Sequence, residues 1–331
     1  MPFRSITFHA PVLLAIALLL ASCGDGGGSS YSDRLIVVRN EGLVELSLGS
    51  GDEALLVPKP EGAVLIDPAL SPNRDRLAFV RQLTPVVIPG EPVEVGMDLY
   101  LADAGGSDPV LLLEHSQPNE AIRSPAWFPD GHRMLINVQN LEGAQIVTTI
   151  EALDIETGAR TRVLDDAFQP ALSPDGTQIA FVRQDEQFNQ SLWIANADGS
   201  GERQLAGPPD GLGGISSPRF SPDGRELAFG GAALMGGTVR GPGAAYVSRA
   251  GASVASNGVP QNIWIYDLES DGLRMLAELL LDQPGLAWSG QGSTIFAFAG
   301  AGLFAIDSST GRAERLADGT FHGQVDWVAA D

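Results

Sequence analysis

The chain has 331 residues, including 40 Gly and 22 Pro, and 44% of its residues are hydrophobic. This length fits one large all-β domain or two average domains, and the Gly and Pro residues fall between short apolar runs, as turns between strands do. With 20 basic against 41 acidic residues, the surface repels phosphate backbones, which argues against nucleic acid as a partner. The same acidic excess is also explained by solubility alone.

Residues 1–22 have the pattern of an export signal. Arg4 supplies a positive start, and residues 10–21 form an apolar run that is too short for a comfortable membrane span. The run ends in Leu-Ala-Ser-Cys at residues 20–23, which resembles the lipobox of bacterial lipoproteins. In that family the signal is cut before the Cys and the Cys is lipidated, so the resemblance implies a lipid anchor at Cys23.

Cys23 is the one cysteine of the chain, and lipidation explains a lone exported thiol. The alternative is an ordinary signal peptide with a Cys near its cleavage site. Residues 24–33 are rich in Gly and Ser and are expected to form a flexible tether. Since Gly24 is not Asp, the lipoprotein resemblance favours the outer membrane. We expect an exported protein, anchored to a bacterial membrane and facing the periplasm or the cell exterior.

A repeat organises the rest of the chain. Residues 69–81, 171–183 and 219–231 share a Ser-Pro turn followed by an apolar run, and residues 126–136 and 287–297 follow the same frame less closely. In its best copies the turn is Pro-Asp-Gly, because Pro presets φ, Asp bonds the turn backbone and Gly tolerates positive φ. Two further strands complete a unit of about 40–50 residues, which is typical of a β-propeller blade.

Six residues mark the ends of the innermost strands: Leu70, Trp127, Leu172, Phe220, Trp288 and Trp327. The last leaves too little chain for a complete blade, but residues 34–39, 43–48 and 53–57 supply three more strands. We therefore predict an all-β fold, a six-bladed β-propeller of four-stranded antiparallel blades over residues 34–331. In it, residues 325–329 pair with residues 35–39 and close the ring.

The Ser-Pro-Asp-Gly frame resembles the TolB-like propeller repeat, which is related to WD-type repeats, over nearly all of residues 34–331. TolB carries an α/β domain before its propeller, whereas ten residues separate Cys23 from the first predicted strand. The resemblance therefore implies a TolB-like propeller carried on a lipoprotein signal, rather than TolB itself.

A binding surface is expected on the face that carries the loops between the second and third strands. We predict expanded loops there at residues 82–97, 139–149 and 230–261, because loops on a rigid scaffold often carry binding. The alternative is tolerated variation of surface loops. The tight Pro-Asp-Gly turns occupy the opposite face.

Three arginines, Arg39, Arg81 and Arg183, occupy equivalent positions near the face with the expanded loops. Together they would form a positive patch for a carboxylate or an acidic segment. Ion pairs with acids of neighbouring blades are the alternative explanation.

Turn formation accounts for the recurrent aspartates at the Pro-Asp-Gly turns, which are Asp130, Asp175 and Asp223. Three histidines follow the signal segment. His115 and His322 fall on the face with the expanded loops and His132 on the opposite face, so the three cannot form one metal site.

Two classes of function fit this sequence. The first is a non-catalytic propeller of the cell envelope that binds a protein or peptide, as a monomer attached to the membrane through its lipid only. The second is an enzyme, such as a metal-dependent lactonase-like hydrolase, or a propeller subunit that partners a peptidase.

The two classes are distinguished by the six positions just before the innermost strand ends, which are Ala69, Ala126, Ala171, Arg219, Ala287 and Asp326. Four of the six are Ala. So many alanines argue against a ring of carboxylates around a metal. We therefore predict the binding class, without a cofactor. The candidate binding residues are Arg39, Arg81, Arg183, Arg219, His322 and Asp326.

Overall fold

A computed structural model describes residues 33–84, 96–142, 145–234, 238–239, 246–247, 260–299, 302–318 and 322–328. Contacts divide the chain into a unit Met1–Ser30 and a unit Tyr31–Asp331, and every described residue belongs to the second unit. A search of these residues finds no helix with the length and hydropathy needed to cross a membrane.

The described residues form strands throughout, apart from one 3₁₀ turn at Pro208–Asp210. Sheet 1 contains β1 (Arg34–Arg39), β2 (Gly42–Ser47), β3 (Glu53–Pro58) and β26 (His322–Val328). Sheet 2 contains β4 (Ala63–Leu70), β5 (Arg76–Leu83), β6 (Met97–Asp103) and β7 (Val110–Leu113). Sheet 3 contains β8 (Ala121–Trp127), β9 (Arg133–Glu142), β10 (Gln145–Asp154) and β11 (Arg160–Asp165).

The C-terminal half repeats this arrangement. Sheet 4 contains β12 (Phe168–Leu172), β13 (Gln178–Gln184), β14 (Gln190–Asn196) and β15 (Arg203–Ala206). Sheet 5 contains β16 (Leu212–Phe220), β17 (Glu226–Ala233), β20 (Pro260–Asp267) and β21 (Gly272–Asp282). Sheet 6 contains β22 (Gly285–Trp288), β23 (Thr294–Ala299), β24 (Gly302–Asp307) and β25 (Ala313–Ala317). The short strands β18 (Thr238–Val239) and β19 (Tyr246–Val247) pair with each other.

Each sheet is an antiparallel meander. The strand order is β26-β1-β2-β3 in sheet 1 and follows the chain in the others, and one parallel bridge between Met97 and Ala121 joins sheets 2 and 3. The second strand of several sheets is a run of consecutive buried residues, centred on Phe79, Phe181, Phe229 or Phe296, each at most 2% exposed. Runs without polar alternation indicate strands covered on both faces.

Clusters of buried apolar side chains lie between sheets that are consecutive along the chain. Five clusters join sheets 1 to 6 in sequence. A sixth joins sheet 6 back to sheet 1, where Leu35 and Val44 pack with Phe296 and Phe298. The hydrophobic core is therefore distributed over the spaces between sheets, and its last part unites the two ends of the described chain.

The predicted pairing of the C-terminal segment with β1 is confirmed. Leu35 lies opposite Trp327 and Ile36 opposite Asp326 in an antiparallel ladder with one irregularity. The predicted strand end Trp327 is the last residue but one of β26, and the five others are the last residues of their strands; they are Leu70, Trp127, Leu172, Phe220 and Trp288. The repeat in the sequence therefore located the innermost strand of each sheet.

The Ser-Pro-Asp-Gly turns fold as their chemistry predicts. Asp175 Oδ1 accepts hydrogen bonds from Ser173 Oγ at 2.6 Å and from the Thr177 backbone N–H at 3.0 Å. These bonds lower the pKa of the Asp175 carboxyl, because they stabilise its charged form. Asp223 is held in the same way by Ser221 and the Arg225 backbone. These aspartates thus have a structural role in the turns.

One predicted loop expansion is wrong. Residues 139–142 and 145–149 do not form a loop; instead β9 and β10 continue as a ladder to the pair Glu142–Gln145. The segment contains Ile146, Val147, Thr148 and Thr149, and β-branched residues favour strands. The other two predicted expansions, at 82–97 and 230–261, fall largely outside the described residues.

Candidate functional site

The ends of the innermost strands surround a cavity of about 260 Å³. Its wall brings together five of the six positions selected from the repeat: Ala69, Ala126, Ala171, Arg219 and Asp326. The sixth, Ala287, lines an adjoining concavity together with Arg219 and Asp326. We call the first space the axial cavity. Its apolar wall includes Trp127 and Phe220, and its charged groups come from three different sheets.

Four innermost strands share a distortion at this cavity. In each, a residue with left-handed backbone precedes a Pro, and the ladder register shifts there. The residues are Asp67 (φ 51), Ser124 (φ 50), Gln169 (φ 53) and Ser217 (φ 55). Non-Gly residues in this region are held there only by surrounding structure, and such residues cluster at functional sites.

Hydrogen bonds between neighbouring sheets hold these distortions in place. Asp67 Oδ2 accepts from the Ser124 N–H at 3.0 Å, and Gln169 Oε1 accepts from the Ser217 N–H at 2.9 Å. The indole of Trp127 donates to the Ala69 carbonyl at 3.0 Å. The wall of the axial cavity is therefore preorganised, because backbone groups of one sheet are fixed by side chains of the next.

The Asp67 bond gives a direct test of this preorganisation. Asp67→Ala leaves the half-buried N–H of Ser124 without its acceptor carboxylate, and we expect it to lower the free energy of unfolding by about 2 kcal/mol. Asp67→Asn keeps an acceptor oxygen and tolerates the left-handed backbone, so it should cost clearly less. Urea unfolding of both variants measures the difference. Equal losses would show that the charge of Asp67 matters rather than its hydrogen bond.

Arg219 is the central charged residue of the axial cavity. Burial lowers the pKa of its guanidinium, while the carboxylates of Asp326 and Asp67 act in the opposite direction. Asp326 also accepts a hydrogen bond from the Leu70 backbone N–H, and Arg123 lies 3.6 Å from Asp67 Oδ2. A guanidinium in a partly desolvated, apolar-walled space binds carboxylates more strongly than one in bulk water.

The axial cavity opens towards the face that carries the tight turns. The adjoining concavity, of about 470 Å³, is lined by Arg219, Asp326, Phe220 and Trp288 and by residues of these turns, namely Arg74, Pro174, Pro222 and Gly290. We call this concavity the mouth. It lies on the face opposite to the one on which the sequence predicted the binding loops.

The other predicted binding residues do not line this cavity. Arg39 pairs with Glu53 of the same sheet, and Arg183 pairs with Glu202, which directly precedes β15. Arg81 donates to the Tyr100 hydroxyl at 3.2 Å and stacks over its ring. His322 lies in β26 opposite Val38, and its side chain is outside the described residues. The structure therefore brings Arg219 and Asp326 together, and leaves Arg39, Arg81 and Arg183 apart from them.

The described histidines are separate from one another. His115 Nδ1 lies 2.6 Å from Asp98 Oδ1, and His132 Nδ1 lies 3.2 Å from Glu156 Oε1. Among the residues that the structure describes, no group of three His, Cys, Asp or Glu side chains is arranged to hold a metal ion.

Sequence reasoning missed Asp67 and Arg74. Both were visible in the repeat. Asp67 belongs to an X-Pro pair that recurs two residues before each of four strand ends, and Arg74 occupies the place that Gly176 and Gly224 hold in their turns. A comparison of the repeats residue by residue, rather than of their shared frame, would have revealed them.

Comparison with known proteins shows partial sequence similarity. No protein-family model matches the chain. The Tol-Pal system protein TolB of Anaeromyxobacter dehalogenans (strain 2CP-C) is 38% identical over 115 residues, which is 32% of this chain and 23% of that protein. TolB of Anaeromyxobacter sp. (strain K) is 37% identical over 115 residues, again 32% of this chain and 23% of that protein. The chain thus spans less than a quarter of the length of these curated relatives.

Solved structures match over more of the chain. The putative TolB from Agrobacterium tumefaciens has a TM-score of 0.56 at 16% identity, over 88% of this chain and 90% of that one. An oligogalacturonate lyase in complex with manganese has a TM-score of 0.52 at 16% identity, over 84% and 70%. A puromycin-hydrolyzing peptidase of Mycobacterium tuberculosis has a TM-score of 0.53 at 17% identity, over 86% of this chain and 45% of that one. At these identities the likeness shows the fold alone, which is a TolB-like β-propeller.

Proposed function

We propose that the chain is a cell-envelope lipoprotein whose six-bladed, TolB-like propeller binds a protein or peptide at the axial cavity and its mouth. The six sheets would be the blades. The core cluster between sheets 6 and 1 and the ladder between β26 and β1 support a closed ring. Closure removes the exposed sheet edge between the first and last blades.

The observation that carries this proposal is the position of Arg219 at the axis. Its guanidinium lies beside Asp326 in a cavity whose remaining wall is largely apolar, with Trp127 and Phe220 among its residues. A few convergent polar groups within a preformed apolar cavity are typical of binding sites. The strained backbone at Asp67 and Ser124 supports a functional role for the same wall.

The envelope location rests on the N-terminal segment. A lipid on Cys23 and a tether over residues 24–33 would attach the propeller to a membrane through the lipid alone, with the outer membrane favoured by Gly24. The acidic surface supports this picture, because a net charge of −21 disfavours close contact with an anionic bilayer or with nucleic acid.

An enzymatic role is the second candidate. The structural neighbours include a lyase solved with manganese and a peptidase, so proteins that contain this fold include enzymes. Metal analysis of the purified chain separates the two candidates. One manganese, calcium or zinc ion retained per chain would favour the enzyme.

Crosslinking from the mouth tests the binding proposal. We expect p-benzoylphenylalanine in place of Pro174, an exposed residue of the mouth, to capture a specific envelope protein in living cells. Adding Arg219→Gln should reduce the yield about tenfold, as expected for loss of one charge-assisted hydrogen bond. The same photoreactive residue in place of Leu111, exposed on β7, is the matched control.

The binding proposal would be refuted by either of two results. Equal yields from positions 174 and 111 would mean that capture is unspecific. If Arg219→Gln leaves both the crosslinking yield from position 174 and the melting temperature unchanged, the axial cavity takes no part in binding.

A further inference from the structure

The turns that follow the innermost strands share one left-handed backbone position. In four of the five turns described it is Gly: Gly131 (φ 68), Gly176 (φ 70), Gly224 (φ 73) and Gly292 (φ 71). The fifth turn has Arg74 at this position, with φ 60. The chain's own repeats therefore show that Gly is the ordinary residue here, and that Arg74 departs from it.

A side chain at this position is unfavourable. For an L-residue the left-handed region brings Cβ close to the following carbonyl oxygen, whereas Gly adopts it freely. In three other turns the Gly also packs on the Pro of the preceding turn. A Cβ would lie 2.7 Å from Pro129 at Gly176, 3.5 Å from Pro174 at Gly224 and 3.5 Å from Pro222 at Gly292. Strain of this kind persists where the side chain contributes something that Gly lacks.

The position of Arg74 indicates what that contribution is. Arg74 is exposed and lines the mouth together with Arg219. It also lines a second groove of about 420 Å³ between sheets 1 and 2, whose apolar floor includes Ile36, Leu56 and Leu70. Arg74 therefore stands where the mouth and this groove meet.

The charges at this junction are opposite to those of the whole chain. Two guanidinium groups, Arg74 and Arg219, and one carboxylate, Asp326, line the mouth, while the chain as a whole carries −21. In the groove, Arg34 is bound to Glu45 at 3.0 Å. The junction is thus a local site of positive charge beside an apolar floor.

We propose that Arg74 selects an acidic peptide, by binding the carboxylate of a segment that runs in extended form from the mouth into the groove between sheets 1 and 2. This inference rests on the proposed function and names its ligand class. An extended segment directs side chains two residues apart to the same side, so one carboxylate meets Arg74 while an apolar side chain two residues away meets Leu56 or Leu70. The planar guanidinium binds a carboxylate through two hydrogen bonds, which an ammonium group does not reproduce.

The first test separates a binding role for Arg74 from a structural one. In the full-length chain, purified in detergent, Arg74→Gly should raise the melting temperature by about 2 °C because it removes the backbone strain. Gly176→Ala, the matched change in the reverse direction, should lower it. A lower melting temperature for Arg74→Gly would show that the Arg74 side chain has a structural role, and would overturn the proposal.

The second test uses defined probes. Saturation-transfer NMR should detect binding of the peptide Leu-Ala-Glu-Ala, acetylated at its N-terminus and amidated at its C-terminus, to the full-length chain. The peptide Leu-Ala-Gln-Ala should bind at least fivefold more weakly. The preference should vanish in Arg74→Gly and weaken in Arg74→Lys. Equal binding of the two peptides, or binding of neither, contradicts the proposal.

The crosslinking experiment distinguishes this inference from the proposed function. If capture from position 174 depends on Arg219 but is unchanged in Arg74→Gly, the axial cavity binds a partner and the role of Arg74 is refuted. If capture is independent of both residues, the proposed function fails as well.

Discussion

Replacing Cys23 by Ala is expected to release the whole chain from the membrane. The lipobox-like residues 20–23 supply the only cysteine, so without it no thioether-linked lipid can form. Two or more acyl chains give stable anchoring, whereas a single chain binds membranes reversibly. We therefore expect an all-or-none change. The wild-type chain should carry an alkyne-palmitate label and partition into the Triton X-114 detergent phase, and Cys23→Ala should do neither.

Ser29→Ala is the matched control, because it changes a residue of the proposed tether without touching the lipobox. It should keep both the label and the detergent partitioning. If the wild-type chain is unlabelled and partitions into the aqueous phase, residues 1–22 act as an ordinary signal peptide and the lipid anchor is ruled out.

Removing residues 319–331 is expected to abolish cooperative folding. The deletion takes away β26, which pairs with β1 from Arg34 to Val38 and supplies Asp326 to the backbone of Leu70. Because β26 also packs beside β4 and β22, the deletion removes contacts with the two neighbouring sheets as well. The free energy of unfolding of a domain is about 5–15 kcal/mol. The loss of one strand of a four-stranded sheet, together with its packing contacts, is expected to remove most of it.

Deleting residues 329–331 alone is the control, since β26 ends at Val328. Circular dichroism melting and hydrogen exchange of β1 amides measure both variants. The control should melt like the wild type, and the longer deletion should show no cooperative transition. A wild-type melting temperature after the longer deletion would mean that the β26–β1 ladder contributes nothing to the fold.

The strand pattern was predictable because its signals are local. Each Ser-Pro-Asp-Gly turn is held by the side chains of its own Ser and Asp, which accept hydrogen bonds from the backbone N–H groups of the next two residues, as Ser173 and Asp175 show. Once these turns are placed, the residues before them, such as Ala171 and Arg219, are assigned to the ends of innermost strands. Five residues of the axial cavity therefore followed from the repeat, whereas Asp67 of the same wall did not.

Contacts between sheets were not predictable in the same way. The ion-pair partner of Arg183 depends on the register of β14 and β15, which shifts between Leu192 and Trp193. No local sequence pattern predicts that shift. The extension of β9 and β10 replaced a predicted loop, because β-branched residues favoured continued pairing over an excursion.

The place of β1 within its sheet has a mechanical consequence. The strand lies between β26 and β2, with a ladder on each side, and the backbone just before it is tied at Asp33, whose carbonyl accepts from the Leu48 N–H at 3.0 Å. A pull applied at the N-terminal end of β1 acts along the strand and loads both ladders in shear, so their hydrogen bonds must fail together rather than one at a time. The two ladders of β1 would thus resist a force applied at the N-terminus, and the sheet would not unfold strand by strand from an edge.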